Sequence, residues 1–154
     1  MANGRVMAAG PAMDIMQRLD LVPDDERDEG GAILDMQVIS YDKGFDMTLL
    51  RSPIGDIHVQ GHAGEQDKTI RIRIRARDVM IATALPQHIS ALNILRGCVL
   101  RLDQAAGASV NVAVDCAGTT LIARITRQSA AVLKLQPGLP VYAVVKAVSI
   151  ASTL

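Results

Sequence analysis

The sequence contains almost no aromatic residues. Among its 154 residues there is no Trp, one Phe and two Tyr, although 49% of the residues are hydrophobic. A core must therefore be built from aliphatic side chains that pack by shape. The same scarcity argues against a protein that binds single-stranded nucleic acid, because such proteins stack bases on aromatic side chains.

Charge of either sign is not in excess, and cysteine is scarce. The 16 basic and 16 acidic residues cancel, so the overall balance favours neither duplex DNA nor an anionic membrane as a partner.

Cys98 and Cys116 are too far apart for a CxxC motif, and we predict two buried free thiols. No apolar run approaches the ~20 residues of a membrane span, and the N-terminus lacks a signal pattern. We expect a cytoplasmic protein.

The motifs of common enzymes are also missing. There is no GxxxxGK[ST] loop, no HExxH, no GxSxG, and no GxGxxG after a strand. His58 and His62 lie in a β and turn region, where this spacing separates them by roughly 13 Å, too far to share a metal ion. We therefore expect a chain that is not an enzyme by itself, with no catalytic residue and no metal site.

Local patterns divide the chain into four parts. Residues 1–22 have a short extended stretch and then a helical face, which ends before a charged linker over 23–31. Residues 32–86 form a first β subdomain and residues 87–154 a second. Many short strands with regular turns and little helix predict an all-β fold of small sandwich or barrel type.

The clearest alternation in the first subdomain is Thr69–Arg77. Apolar residues alternate with Arg71, Arg73, Arg75 and Arg77, which predicts a strand with one buried face. We interpret the arginines as the polar face of this strand, paired with carboxylates of a neighbour. The alternative is a stripe that binds an anion or nucleic acid.

The second subdomain is predicted to contain one short helix among four strands. Ala117-Gly118 supplies a hairpin turn, and the helical candidate covers Ser129–Leu135. The strands are predicted over residues 94–102, 109–116, 119–125 and 141–150.

Three segments of this second half resemble one family. The segments HISALNILRG (88–97), ARITRQS (123–129) and PVYAVVKA (140–147) are similar to the Mop module, an oxyanion-binding module of molybdate-responsive proteins. The chain as a whole resembles the C-terminal part of the ATP-binding subunit of molybdate ABC importers. Residues 1–22 would then be the end of a nucleotide-binding domain whose remainder is absent.

This resemblance implies an OB-like small β-barrel of Mop or TOBE type and a site for molybdate or tungstate. Molybdate carries only acceptor oxygens, so its site needs donors and positive charge. The site would lie between the chains of a homodimer, with Ser90, Ala91 and Asn93 of one chain facing Lys146 of the other, and would mediate feedback inhibition of transport. The partner would be a permease of the inner membrane, which the missing ATPase domain would contact. ATP would bind only to that missing domain, and the resemblance implies no other cofactor. By resemblance the ligand residues are Ser90, Ala91, Asn93, Thr126, Ser129 and Lys146.

Each of these residues also has a structural interpretation. Ser90 can end a strand, Asn93 can satisfy a turn, Ser129 can cap a helix, and Lys146 can mark the wet face of a strand. Leu92 and Val132 stand where members of the family carry basic residues. The alternative function is therefore a structural dimerisation domain that has lost oxyanion binding; an OB-like nucleic-acid binder and a free-standing molybdate store are further alternatives.

Overall fold

Alternating apolar and polar residues fold into two five-stranded antiparallel sheets. The computed structural model describes residues 31–152, so the predicted N-terminal helix and most of the linker lie outside the described residues. The strands in this range are β1 (Gly31–Asp42), β2 (Met47–Ser52), β3 (Gly55–Gln60), β4 (Thr69–Arg75), β5 (Met80–Ala82), β6 (Asn93–Gln104), β7 (Ser109–Cys116), β8 (Thr119–Thr126), β9 (Pro140–Val145) and β10 (Ala151–Ser152). This arrangement confirms the predicted all-β, OB-like fold.

The two sheets exchange one strand each. The first sheet has the order β10-β4-β1-β2-β3 and the second the order β5-β9-β6-β7-β8. Replacing β1–β4 by β6–β9, and β10 by β5, converts the first order into the second. The fold is therefore an internal duplication in which each half gives its fifth strand to the other. The strands do not separate at the predicted boundary between residues 86 and 87, since β5 pairs with β9 and β10 pairs with β4.

A pair of equivalent irregularities supports the duplication. The pairing of β1 with β2 shifts between Val38 and Ser40, and the pairing of β6 with β7 shifts between Val99 and Arg101. Gly31 and Leu92 occupy equivalent positions in the two halves. In each half the shift begins seven residues later. An extra residue at the same place in both halves bends both long strands in the same way.

Two predicted strands are shorter than the sequence indicated. The strands predicted to run to Arg77 and to Ile150 end at Arg75 and Val145, and 3-10 turns follow at Ala76–Asp78 and Ala147–Ser149. Each turn redirects the chain from its own sheet to the opposite one. The buried Ala76 and Ala147 begin the two turns, and the small side chain lets the backbone pack closely against the other half.

The predicted hairpin and the short helix are present. Ala117 and Gly118 both have positive φ, at 51° and 89°, as a two-residue hairpin turn requires. Helix α1 covers Arg127–Val132, two residues earlier than predicted, because Thr126 rather than Ser129 caps it. None of the helices between residues 31 and 152 is long and apolar enough to cross a membrane.

The alternating strand behaves as predicted. In β4 the apolar residues Ile70, Ile72 and Ile74 are buried. On the other face Arg71 Nε lies 3.0 Å from Asp35 Oδ1 of the neighbouring strand. The arginine row is thus the polar face of the strand, with a carboxylate partner on β1.

One hydrophobic cluster joins the two sheets. It contains side chains such as Met36, Leu50 and Ile72 from the first sheet and Val99, Val112 and Leu121 from the second. Cys116 is buried and Cys98 partly so, and both are free thiols. Burial raises the pKa of the Cys116 thiol to about 11, so this side chain acts as a small apolar group in the core.

Gly97 lies where β6 passes close to its neighbour β7. A Cβ at this position would come within 2.6 Å of the carbonyl oxygen of Asp115 and 2.8 Å of a Val114 methyl. Because one of these atoms belongs to the backbone, relief requires the strands to separate. We expect Gly97→Ala to lower the free energy of unfolding by about 1–3 kcal/mol, measured by urea denaturation.

Gly44→Ala is the matched control for this substitution. The added Cβ there meets only a carboxylate oxygen of Asp42 at 3.3 Å, in an exposed turn. A loss at Gly97 no larger than the loss at Gly44 would show that β6 and β7 can separate freely.

Candidate functional site

The residues predicted to bind an oxyanion fall into two groups. The first group, called here the Lys146 end, consists of Ser90–Asn93 and Lys146. The second, called the Ser129 corner, consists of Thr126–Ser129. In the β6–β9 pair the last matched residues are Asn93 and Val145, so Leu92 and Lys146 are the next pair outward. The structure therefore brings Ser90, Ala91, Asn93 and Lys146 of one chain to the same end of the second sheet, whereas the resemblance implied that Lys146 faces the other three from a second chain.

Exposure alternates along the Lys146 end. Ser90 and Leu92 are exposed, whereas Ala91 and Asn93 are buried. Lys146 is exposed and immediately precedes the second 3-10 turn, with extended backbone angles of φ −71° and ψ 141°. The ammonium of Lys146 and the hydroxyl of Ser90 are thus the two groups of this end that solvent, or a dissolved anion, can reach.

Asn93 has a different role within the chain. Its Oδ1 accepts the backbone N–H of His58 at 2.7 Å, and its Nδ2 donates to the His58 carbonyl at 3.0 Å. The side chain is 1% exposed. His58 lies on β3, which is an edge strand of the first sheet. Asn93 supplies the hydrogen bonds that a further neighbouring strand would make with His58. Asn93 fastens the Lys146 end to the other half of the molecule.

The Ser129 corner is organised by the cap of α1. The N–H of Ser129 donates to Thr126 Oγ1 at 2.9 Å, and the Thr126 hydroxyl lies 2.9 Å from Ser129 Oγ. With Thr126 as the donor in this pair, the hydrogen of the Ser129 hydroxyl can point outward. The T-x-x-S segment thus supplies a cap and one exposed hydroxyl donor.

The two groups lie at opposite ends of the second sheet. Ser109 pairs with Thr126, and the adjoining Val110 pairs with Gln104, the last residue of β6. Asn93 is the first residue of the same strand. Eleven residues separate the two ends, a path of roughly 35 Å along the backbone at the usual rise of a strand.

Charge is unevenly distributed along the chain, which its overall balance conceals. Residues 87–154 contain six basic residues and two acidic ones, and therefore carry a net charge of +4, whereas the whole chain is neutral. A separate count of charged residues in each half of the sequence would have revealed this asymmetry. The half with the candidate site is therefore the half whose field attracts anions.

The histidines do not form a site with metal ligands. His62 Nε2 lies 3.8 Å from Glu65 Oε2, and the ring of His62 meets the edge of Tyr41 with 4.8 Å between centroids. His58 is held through its backbone by Asn93 instead. Within residues 31–152 no group of three or more His, Cys, Asp or Glu side chains could hold a metal ion.

Known proteins share the sequence pattern of this chain. The TOBE domain family matches residues 89–151. The molybdenum import ATP-binding protein ModC of Mesorhizobium japonicum is 50% identical over 149 residues, which cover 97% of this chain and 40% of that protein. ModC of Rhizobium etli is 37% identical and matches 97% of this chain and 42% of its own length. The chain thus spans about two fifths of the length of these relatives.

A solved structure shares the fold. It is the cytoplasmic molybdate-binding protein ModG with molybdate bound, and it superposes with a TM-score of 0.72 at 20% sequence identity. The match covers 79% of this chain and 94% of ModG. A match of this extent is too long to be confined to one of the two sheets.

Proposed function

The chain is a TOBE-type domain of the kind that forms the C-terminal part of molybdenum import ATP-binding proteins, and on this premise we propose that it binds a tetrahedral oxyanion, molybdate or tungstate, and regulates import. The observation that supports the proposal is the β6–β9 register, in which Asn93 pairs with Val145, so that Leu92 and Lys146 are the next residues of the two chain segments. The positively charged half of the chain therefore ends in an exposed ammonium and an exposed hydroxyl.

The available groups suit a dianion with four acceptor oxygens. Lys146 supplies charge and up to three hydrogens, and Ser90 and Ser129 supply one hydroxyl each. Donors that carry a charge form hydrogen bonds roughly twice as strong as neutral ones. Asn93 and Thr126 already have partners within the chain, so we assign them to holding the donors in place.

A second copy completes the site in this proposal. Because the Lys146 end and the Ser129 corner lie at opposite ends of β6, one ion cannot contact both groups of the same chain. In a homodimer the Lys146 end of one chain faces the Ser129 corner of its partner. The ion then favours one arrangement of two chains over others, which is the basis of regulation by differential affinity.

We infer regulation of import from the greater length of the relatives to which this chain is similar. The remaining three fifths of those relatives would hold the ATPase domain, which binds a membrane permease on the cytoplasmic side. When the internal oxyanion concentration rises, occupied domains would hold the two ATPase domains in an inactive arrangement. This is feedback inhibition of import by its own product.

We expect one ion per chain, because the first half has no counterpart of the Ser129 corner. The duplication makes Arg75 the equivalent of Lys146, since each immediately precedes a 3-10 turn. The segment between β3 and β4, residues 61–68, contains no helix and neither Ser nor Thr. Nothing in it therefore corresponds to the hydroxyl donors of the Ser129 corner.

Isothermal titration calorimetry with sodium molybdate tests the proposal. We expect saturable binding with one ion per chain, similar binding of tungstate, and a rise in the melting temperature. Sulfate at the same ionic strength is the control for general screening. Absence of both heat and a thermal shift at millimolar molybdate would refute an oxyanion site.

A second candidate function is a structural dimerisation domain without a ligand. Two exposed apolar residues favour it: Leu92 is 54% exposed at the Lys146 end, and Val132 is 71% exposed at the C-terminal end of α1. Neither can donate a hydrogen bond to an oxyanion. A dimer whose mass and stability are unchanged by molybdate would support this alternative.

A further inference from the structure

We propose that residues 147–152, called here the strap, open locally while the rest of the fold stays closed, and that His58 weakens the closed position of the strap. The strap consists of the second 3-10 turn, Ala147–Ser149, and the strand β10, joined by Ile150. It carries the chain from Lys146 to the edge of the first sheet, where β10 pairs with β4. Only the last step of the inference, the response to a bound ion, rests on the proposed function.

The duplication provides a reference for the strap within the same molecule. The first 3-10 turn, Ala76–Asp78, packs against β8, and the second packs against β3. Each turn leads to a short strand that joins the opposite sheet: β5 pairs with β9 at three positions, and β10 pairs with β4 at two positions within the described residues. Because the two crossovers have the same task, a difference between them is not a requirement of the fold.

The first crossover lies on a fully buried apolar surface. Ala113 and Ile122 pair across β7 and β8, and Ala76 joins them in a small hydrophobic cluster. None of these three side chains is more than 1% exposed. Water is therefore excluded from the contact between the first turn and β8.

The strap lies on a surface that is less well sealed. Leu49 and His58 pair across β2 and β3 in the way that Ala113 and Ile122 pair across β7 and β8, so the two pairs are equivalent in the duplication. Both Leu49 and His58 are only half-buried. The contact between the strap and β3 is therefore less completely closed to water than its counterpart.

His58 also brings a polar atom without a partner to this contact. Its Nδ1 is buried and makes no hydrogen bond within the part of the chain that the structure describes. Since the equivalent Ile122 lies against Ala76, we place the His58 ring under the strap. A buried polar atom without a partner favours a state in which water reaches it. Opening of the strap is such a state, whereas the aliphatic Ile122 gives opening of the first crossover no similar advantage.

Lys146 is the residue at which the strap leaves the second sheet. On one side the neighbouring Val145 pairs with Asn93. On the other side the Ser149 N–H donates to the Lys146 carbonyl at 3.0 Å, and this hydrogen bond is lost when the turn opens. An oxyanion held by Lys146 should favour the closed strap, because a ligand shifts the population toward the state that binds it better. The strap is thus the segment whose order a bound ion controls.

Amide hydrogen exchange followed by NMR tests the inference in the ligand-free chain. Val79 and Ile150 are matched positions, because each follows its 3-10 turn and donates its N–H to the first carbonyl of that turn, at 3.2 Å and 3.3 Å. After correction for intrinsic rates, we expect the Ile150 amide to exchange faster than the Val79 amide by about fivefold or more. Equal rates, or faster exchange at Val79, would overturn the inference.

Exchanging the two equivalent side chains tests the role of His58. His58→Ile copies the second half and keeps both hydrogen bonds from Asn93, which go to the backbone. We expect it to slow exchange at Ile150, relative to Val79, by about fivefold or more. Ile122→His is the matched control and should change this ratio in the opposite direction, by speeding exchange at Val79. An unchanged ratio in His58→Ile would contradict a weakening effect of the imidazole.

Molybdate tests the link to Lys146. We expect saturating molybdate to slow exchange at Ile150 several-fold relative to Val79, and sulfate of equal ionic strength to have little effect. Calorimetric binding without slower exchange at Ile150 would overturn the response of the strap to the ion. Absence of binding would refute the proposed function, and the comparison of Ile150 with Val79 in the ligand-free chain would still decide whether the strap opens.

Discussion

Asn93→Ala is expected to lower the free energy of unfolding by about 2–4 kcal/mol. The substitution removes both hydrogen bonds to His58 and leaves a backbone N–H and a carbonyl without partners at the edge of β3. An unsatisfied buried polar group costs about 1–3 kcal/mol. Because the edge of β3 is partly buried here, water can replace the two lost hydrogen bonds only incompletely. Urea denaturation measures the loss.

Asn93→Asp adds a pH dependence that simple loss of packing would not show. One carboxylate oxygen can accept the hydrogen bond from the His58 N–H. The other oxygen faces the His58 carbonyl oxygen, and these two acceptors repel each other. Burial raises the pKa of the introduced carboxyl above its unfolded value. Its stabilising contribution is therefore complete below the unfolded pKa, about 3.9, and is lost as pH rises through the folded pKa. The variant should be closer to wild type at acidic pH than at neutral pH.

The control is Gln104→Ala, which removes an exposed amide from the other end of the same strand. We expect a change within about 0.5 kcal/mol, as for most surface substitutions. Amide hydrogen exchange at His58 gives a local measurement, and this amide should exchange faster in Asn93→Ala. Wild-type stability with a protected His58 amide would show that another group can replace Asn93.

Lys146→Ala is expected to weaken molybdate binding roughly 30-fold to 150-fold, which corresponds to the loss of about 2–3 kcal/mol from one charged hydrogen bond. Lys146 is exposed, so its removal should leave the fold intact. The effect should therefore appear in the calorimetric dissociation constant and not in the melting temperature of the ligand-free chain.

Lys43→Ala is the matched control for Lys146→Ala. It removes the same charge from another exposed position, in the turn between β1 and β2. Molybdate affinity should then stay within about twofold of wild type, because surface charges beyond a Debye length of about 8–10 Å are largely screened. Equal losses in both variants would mean that net charge, rather than a defined site, attracts the ion.

The sequence predicted those parts of the fold that depend on local patterns. The alternation in Thr69–Arg77 predicted a strand with one buried face, which the structure has over Thr69–Arg75, and Ala117-Gly118 predicted a hairpin turn. The predicted helix was placed two residues late, since Thr126 and Ser129 can both cap a helix and the sequence does not show which of them does.

Features that depend on distant parts of the chain could not be predicted in this way. The apolar run from Val141 to Ile150 resembles one strand, but the chain leaves the sheet at Lys146 to reach β4. The two halves share a strand order rather than an obvious sequence repeat, so the duplication becomes visible only in the pairing. The contact between Asn93 and His58 joins residues 35 positions apart, and a turn residue was the natural interpretation.

Of the predicted ligand residues, the structure shows which are exposed and which are buried and bonded within the chain. Ser90, Ser129 and Lys146 are exposed, whereas Asn93 is bonded to His58. The resemblance named them as one set, but it carried no information on which side chains the fold itself uses. The proposal therefore depends on a few exposed donors and a second copy of the chain.

An anomalous difference map from crystals grown with molybdate tests the central claim most directly, because molybdenum scatters anomalously and marks the position of the ion. We predict one strong peak per chain, within hydrogen-bonding distance of Lys146 Nζ of one chain and Ser129 Oγ of its partner. A fully occupied peak away from Lys146, or no peak in crystals that contain millimolar molybdate, would contradict the account.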